Sequence, residues 1–429
     1  MVNNAAVMDM AGEFTCVTAG DKATLSYIPP EDAEPAAAPV VSQLTRLLQV
    51  SNANNINIEG IAFHHAAYEG LDDRYDYTTG AVVVQKSTDI SVLNCEFAHT
   101  ARMGLMVKDS SNILVEQNTF WDIGYNGFQL LGQRTAANVS ILNNYFNGCG
   151  VSNGWGPACL WIQGQTNVRV ANNEITNSAM TGIMSKADSN SVTYWTDQGI
   201  TEPTNADYVH QIEYNYIHHF GSGVLSDFGA IKTGVRATGC DGGTVSYLEN
   251  NCQCYTHVYN NLIHDGWTGL IGANFLYSDV SAGKNVFENN IVYGTGSGAL
   301  YHHCGLENES KNNIIHRVAK VPGQEFGGGK PMYNIIGGCE LNSGKHQSYH
   351  NHHNIYYFHD TTNLTFYRSY DEFGDNTVFS DNLLYSLDPT SETSLMFPGG
   401  IPFGQLAAAG LDTTSVWADP GLQDPANHR

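Results

Sequence analysis

Two aspartates stand at comparable places in neighbouring stretches of this chain. Asp227 lies in Ser226-Asp227-Phe228-Gly229-Ala230-Ile231-Lys232-Thr233, and Asp279 ends Phe275-Leu276-Tyr277-Ser278-Asp279. A pair of carboxyl groups can divide one reaction between them. The protonated one gives its proton to a leaving oxygen, while the ionised one attacks the carbon or activates water, as in hydrolysis of a glycosidic bond. On adjacent strands of a sheet, about 4.8 Å apart, two such groups can reach the separation of about 5–9.5 Å that this reaction uses. Asp227 and Asp279 are therefore the candidate catalytic residues. The competing role for each is to cap its own turn through the backbone, as loop aspartates commonly do.

Other residues near them suit a sugar. Lys232, His264, His302 and His303 can hydrogen-bond hydroxyl groups or tune a carboxyl group. Trp267 and Tyr277 can each offer a flat apolar face to the C–H face of a pyranose, and Trp155 and Trp195 carry the same chemistry farther away. The segments that hold these residues, from His218-His219 through His264-Asp265 to Tyr301-His302-His303, are expected to line up as one column on one face. No cofactor and no metal are expected. Cys252-Gln253-Cys254 lacks the second pair that a zinc site needs, and Gly327-Gly328-Gly329-Lys330 lacks the spacing and hydroxyl residue of a phosphate loop.

The elements that position these residues are announced by a recurring phrase, Asn, any residue, then Ile or Phe, as in Asn144-Tyr145-Phe146, Asn173-Glu174-Ile175, Asn261-Leu262-Ile263 and Asn313-Ile314-Ile315. Its register positions are 61, 95, 118, 144, 173, 215, 261, 290, 313, 354 and 382, with Ile61 and Cys95 in place of Asn, and the shorter intervals run from 23 to 29 residues. Short β-branched or aromatic runs broken by Gly and Asn at that period, without helical spacing, predict an all-β chain wound as a right-handed, single-stranded parallel β-helix. Each rung shows two runs, the Asn phrase and a strand opened by Gly, as in Gly104-Leu105-Met106-Val107. Asn tolerates left-handed backbone and can bond to the Asn one rung away, so the repeated Asn reads as a structural ladder rather than a site.

Residues 1–43 are expected to hold a hairpin, over about 12–28, and a linker, and residues 44–429 the coil, with insertions around 176–210, 233–256 and 318–345. The intervals from 173 to 215 and from 215 to 261 are 42 and 46 residues, about twenty more than the short ones, and long loops on a rigid scaffold are where binding groups concentrate. The candidate residues lie in and beside these rungs.

Composition excludes several partners. With a formal net charge of -23, only 19 Lys plus Arg and no basic run, the 429-residue chain is a poor partner for nucleic acid, heparin-like chains or anionic membranes, and neutral glycans remain. No stretch of about 20 apolar residues is available for a membrane span. Nine cysteines, with sequons at Asn138, Asn308 and Asn363, point to a secreted protein. Local disulfides are expected around Cys149 and Cys159 and around Cys240, Cys252 and Cys254, while Cys95 and Cys304 read as core residues. The first residues lack a signal peptide and Ala418-Asp419-Pro420 is followed closely by the end, so truncation is expected at both termini.

The stretch from Ile212-Glu213-Tyr214-Asn215 through Asp227-Phe228-Gly229-Ala230-Ile231 resembles the Asp-x-Gly-Ala-Ile-Tyr-Thr segment of glycoside hydrolase family 141. Leu276-Tyr277-Ser278-Asp279 with Ser281-Ala282-Gly283, and His302-His303-Cys304-Gly305, are similar to its later motifs. Gly12-Glu13-Phe14 with Tyr27, Phe63-His64-His65 and Ala418-Asp419-Pro420 extend the likeness through most of the chain. The resemblance implies a β-helix enzyme of fucosidase or xylanase type, acting on complex glycans with Asp227 and Asp279 as its pair. Lys232 stands where that family has Tyr, and either Asp279 or Ser278 falls at its second Asp. With Ser278 there, the pair would be broken and the coil would bind glycans without turnover. A polysaccharide lyase is the other alternative on this fold, although elimination beside a uronate wants cations and basic residues that this chain has in short supply.

Overall fold

The computed structural model describes residues 10–11, 14–20, 22–29, 40–68, 79–132, 137–152, 156–164, 166–186, 208–221, 228–234, 254–266, 273–279, 284–294, 298–302, 307–317, 334–337, 348–358, 365–368, 376–387, 395–397 and 401–422. The chain forms two compact units, Met1–Ser42 and Gln43–Arg429. In the first, strands Phe14–Ala19 and Lys22–Tyr27 pair antiparallel, with Ala19 opposite Lys22 at the turn.

The second unit is a parallel coil with three strands to a rung. One rung runs Gly80–Gln85, Thr88–Leu93 and Glu96–Thr100, and the next runs Met103–Lys108, Ser111–Glu116 and Thr119–Ile123. Stacking the rungs makes three sheets. Sheet I contains the first strand of each rung and has 13 strands among the described residues, the last of which, Ile401–Pro402, is antiparallel to Met396–Phe397; sheet II contains the second strand and has 11, and sheet III contains the third and has 12. The sequence signalled only the Gly-led strands of sheet I and the Asn-led strands of sheet III. Sheet II, lying just before each Asn, carries neither marker and shows only alternation, as in Ser111–Glu116 where Ile113 and Val115 are buried.

Like residues stack inside the coil. Phe63, Phe97, Phe120 and Phe146 follow one another on sheet III with ring centroids 5.3, 4.6 and 4.5 Å apart. Each such ring contributes about 1.5–3 kcal/mol by burial alone. Gly127 leaves room for this stack, since a Cβ there would stand 2.8 Å from the Phe146 ring.

The Asn ladder runs through the corner between sheets II and III. The Nδ2 groups of Asn118, Asn144, Asn173, Asn215, Asn261, Asn290, Asn313 and Asn354 each donate to the Oδ1 of the next member, ending at Asn382, over 2.9–3.1 Å. The backbone N–H of each of these eight donors goes to the same oxygen, as that of Asn215 does to Asn261 over 2.9 Å, while that of Asn382 goes to Ser415 Oγ over 2.9 Å. The ladder residues themselves are not left-handed, contrary to the sequence reading. The residue just before each one is, as at Gln117, Asn143, Tyr214, Asn289 and His353, with φ between 54 and 58°. Turning the chain and bonding the rungs are thus done by two adjacent residues. Cys95 heads the ladder: its N–H donates to Asn118 Oδ1 over 2.9 Å, and its thiol faces the Leu93 carbonyl at 3.2 Å.

Cys149 and Cys159 are not joined as a disulfide. Both are buried free thiols at interior positions, hydrogen-bonded to one another and packed as small hydrophobes. Of the sequons, Asn138 is exposed, Asn308 is buried and accepts from Asn285, and Asn363 lies outside the described residues.

The expected insertions contain parts of the coil. Thr181–Lys186 is a sheet I strand within 176–210, and Asn334–Gly337 is one within 318–345. Residues 187–207, 235–253, 318–333 and 338–347 lie outside the described residues. The first two connect sheet I strands Thr181–Lys186 and Phe228–Gly234 to the sheet II strands that follow them. No helix among the described residues is long and apolar enough to cross a membrane.

Candidate active site

Strands Phe228–Gly234, Ala273–Ser278 and Gly298–His302 are consecutive in sheet I, and their register places Lys232, Tyr277 and Tyr301 side by side. Alternation along these strands sends Ile231, Leu276 and Leu300 into the hydrophobic core, so Lys232, Tyr277 and Tyr301 belong to the outer face. Lys232 Nζ lies 4.4 Å from the centroid of the Tyr277 ring, and that ring meets Tyr301 edge-on at 5.0 Å. Gly229 opens the space for Tyr277, because a Cβ there would be 3.1 Å from the tyrosine Cβ.

Asp279 closes this arrangement. Its N–H donates to the Thr233 carbonyl over 2.7 Å, holding it beside the preceding rung. Lys232 Nζ is 3.1 Å from Asp279 Oδ2, and Tyr277 donates its hydroxyl to Oδ1 over 2.8 Å. One carboxylate oxygen thus meets a cation and the other a phenol, while the group keeps 18% of its side-chain surface open. Ser278 points the other way, fully buried, and accepts from Asn285 Nδ2 over 3.0 Å. Of the two candidates for the second Asp position, Asp279 is the one on the outer face.

The predicted residues do not all assemble here. Asp227, Trp267 and His303 lie outside the described residues. The described neighbour of Asp227 is Phe228, five residues from the Thr233 that holds Asp279, or about 16 Å at about 3.3 Å per residue. His302 lies inside the coil: it pairs with the inward Ser278, and its ring packs on Phe287 at 5.4 Å and Tyr349 at 4.5 Å. Neither ring nitrogen finds a hydrogen-bond partner among the described residues, and burial pushes the imidazole down to about 3. A sugar on the outer face cannot reach it, since its strand turns Tyr301 outward and His302 inward.

His264 sits on another sheet. The single column expected from the sequence is two columns, because Asn-led strands build sheet III and Gly-led strands build sheet I. On the outer face of sheet III, His264 Nε2 is 2.8 Å from the Tyr216 hydroxyl and His264 Nδ1 is 2.8 Å from Asp265 Oδ2. His218 stacks on His264 at 5.3 Å, lies 3.3 Å from Glu174, and meets His219 through Nδ1 atoms 2.7 Å apart. Burial raises Tyr216 above the ordinary phenol range, helped by the carboxylates of Glu174 and Asp265, and burial lowers His218. This carboxylate–imidazole–phenol chain was missed in the sequence. Its signal is the third residue after each ladder Asn, which gives His218, His264, Tyr293, His316 and Tyr357 in successive rungs.

Two comparisons bear on the chain. The family model for the right handed beta helix region matches residues 46–156 and 79–241. A solved structure titled "Glycoside hydrolase" is similar with a TM-score of 0.48 and 17% identity over 75% of this chain, which spans 58% of the length of that one. No curated protein matches the sequence. The stacked parallel sheets and the family match together make this chain a right-handed parallel β-helix protein.

Proposed function

We propose that the protein is a glycoside hydrolase acting on a neutral poly- or oligosaccharide, with its site on the outer face of sheet I. What carries the reading is Asp279, an accessible carboxylate held between Lys232 and Tyr277 on the rung next to the Asp227 segment. With a cation on one oxygen and a donated hydrogen bond on the other, Asp279 is a fixed and oriented carboxylate, and it takes the part of nucleophile or base. Asp227 takes the part of acid by the family resemblance; it precedes Phe228, at the opposite end of its strand from the contact with Asp279, so this role requires the chain before Phe228 to fold back along sheet I toward Asp279. Tyr301, partly exposed and edge-on to the buried Tyr277, gives the same face an aromatic edge for a sugar ring. Secretion belongs to the same proposal, with Asn138 as its exposed sequon.

Wild type, Asp279→Asn and Asp227→Asn should be assayed on aryl glycosides and oligosaccharides by release of reducing ends. Turnover in wild type with a large loss of kcat in both variants is the expected result. Near-normal kcat in either variant removes that residue from the reaction. Products absorbing in the ultraviolet would show a lyase instead, and binding without turnover would show a glycan-binding coil.

A further inference from the structure

We propose that Glu309, His350 and His352, on the outer face of sheet II, form a binding site for a divalent transition ion, zinc in the first instance. Glu309 lies in strand Asn308–Lys311, and both histidines lie in the next strand, Ser348–His352. The register pairs Glu309 with His350 and Lys311 with His352. Asn308, Ser310, Tyr349 and Asn351 are buried, so alternation turns Glu309, His350 and His352 outward together. One ligand atom from each of the three lies within 4.8 Å of the others.

Zinc bonded at about 2.0–2.2 Å in tetrahedral geometry needs its ligand atoms roughly 3.5 Å apart, so the set must contract by about an ångström. His352 Nε2 and Glu309 Oε1 are already 2.9 Å apart. His350, whose ring stacks on His352 at 4.0 Å, is exposed and is the side chain with room to turn. Two imidazoles and one carboxylate favour zinc and its transition-metal neighbours over calcium or magnesium, which prefer oxygen alone.

The surrounding contacts fit such a site. His352 Nδ1 is 2.7 Å from His353 Nδ1, so the ring is held through that atom with Nε2 toward Glu309. Lys311 Nζ takes Glu309 Oε2 at 3.0 Å and leaves Oε1 for the ion. The lysine charge is shared with Glu288, 3.9 Å away, which limits its repulsion of a cation. Burial lowers His350, and for Glu309 the effect of burial is outweighed by hydrogen bonds from His352 and Lys311 that hold it below the usual range.

The test is calorimetric titration of the whole, chelator-stripped protein with zinc chloride, with cobalt absorption as a second readout. Wild type should bind one zinc more tightly than any other, with a higher melting temperature in its presence. His350→Gln, His352→Gln and Glu309→Gln should each weaken that site by at least roughly tenfold and lose the zinc-dependent rise in melting temperature. His257→Gln, two rungs away on the same sheet, should leave it unchanged. Melting curves without zinc identify a variant that fails to fold, and the other two variants then decide. No zinc binding, unchanged affinity in the three variants, or equal binding of calcium would overturn the proposal.

Discussion

Lys232 and Asp279 come from successive rungs of the coil, and the lysine ammonium lies 3.1 Å from the aspartate while resting 4.4 Å from the centroid of the Tyr277 ring. The cation serves two partners at once. A partly buried pair of this kind contributes little net stability by itself, but removing one member leaves the other without its counter-charge. Lys232→Met should therefore lower the unfolding free energy in urea by about 1.5–3 kcal/mol, the range for a lost hydrogen bond to a charged group. Unchanged stability would mean that water replaces the lysine at no cost.

At the same site, Asp279→Asn should lower kcat on the substrate found by screening by about 10²–10⁴-fold. Tyr277→Phe, which removes only the hydroxyl donated to Asp279, should cost about tenfold with KM little changed. If Tyr277→Phe raises KM alone, the tyrosine binds substrate and does not hold the carboxylate.

The division of labour at the corner between sheets II and III can be separated by adjacent substitutions. Asn290→Ala removes the acceptor of the Asn261 N–H and Nδ2 and the donor to Val258 and Asn313, so it should destabilise by about 3 kcal/mol or more. Asn289, left-handed at φ 55°, should tolerate Gly and lose about 1–2 kcal/mol on change to Ala. Thermal unfolding of the three variants checks the order. Equal losses at 289 and 290 would show that both residues serve the turn.

His302 makes the fold sensitive to acid. Its folded value of about 3 lies below the ordinary 6.5, so below that pH the unfolded chain takes up a proton that the folded chain refuses. Its contribution is fully present above about pH 6.5 and falls by about 1.4 kcal/mol per unit as the pH drops toward 3. His302→Leu, which also removes two nitrogens without a hydrogen-bond partner among the described residues, should match or exceed wild-type stability at pH 7 and lose less between pH 6 and 4. Parallel pH–stability curves for the two proteins would assign the acid sensitivity elsewhere.

The thiols of Cys149 and Cys159 should be inert in the folded chain. Burial, with the contact between them, raises Cys149 well above the usual thiol range. A thiol reagent at pH 8 should modify these two residues only after denaturation, as read by mass spectrometry of the labelled peptides. Rapid labelling of the native protein would show that this part of the core opens.

Three readings at different levels divide the sequence from the structure. The coil was legible because the Asn ladder is a local rule repeated at one corner, and its register positions from 118 to 382 are the members found bonded to one another. Lys232, Tyr277 and Asp279 were candidates from the proposed aspartate pair and the family resemblance, and the alternation of the strands puts the three on one face. What failed was the assignment of His264 and His302. Both lie next to candidate residues in sequence, but a corner moved His264 to sheet III and the alternation of a single strand turned His302 inward. Glu309 and His350 stayed hidden for the opposite reason, being 41 residues apart and yet directly paired.

The sequence by itself determined the winding of this protein, since corner residues and apolar columns act through neighbours one rung away and repeat often enough to be read. Only the tertiary structure decided which polar residues share a face. That depends on how many residues each corner consumes before the next strand begins, and the long intervals around Asn215 and after Asn313 conceal that number. Packing converts it into contact, as between Lys232 and Asp279, because each strand must bring its apolar residues into the same interior columns.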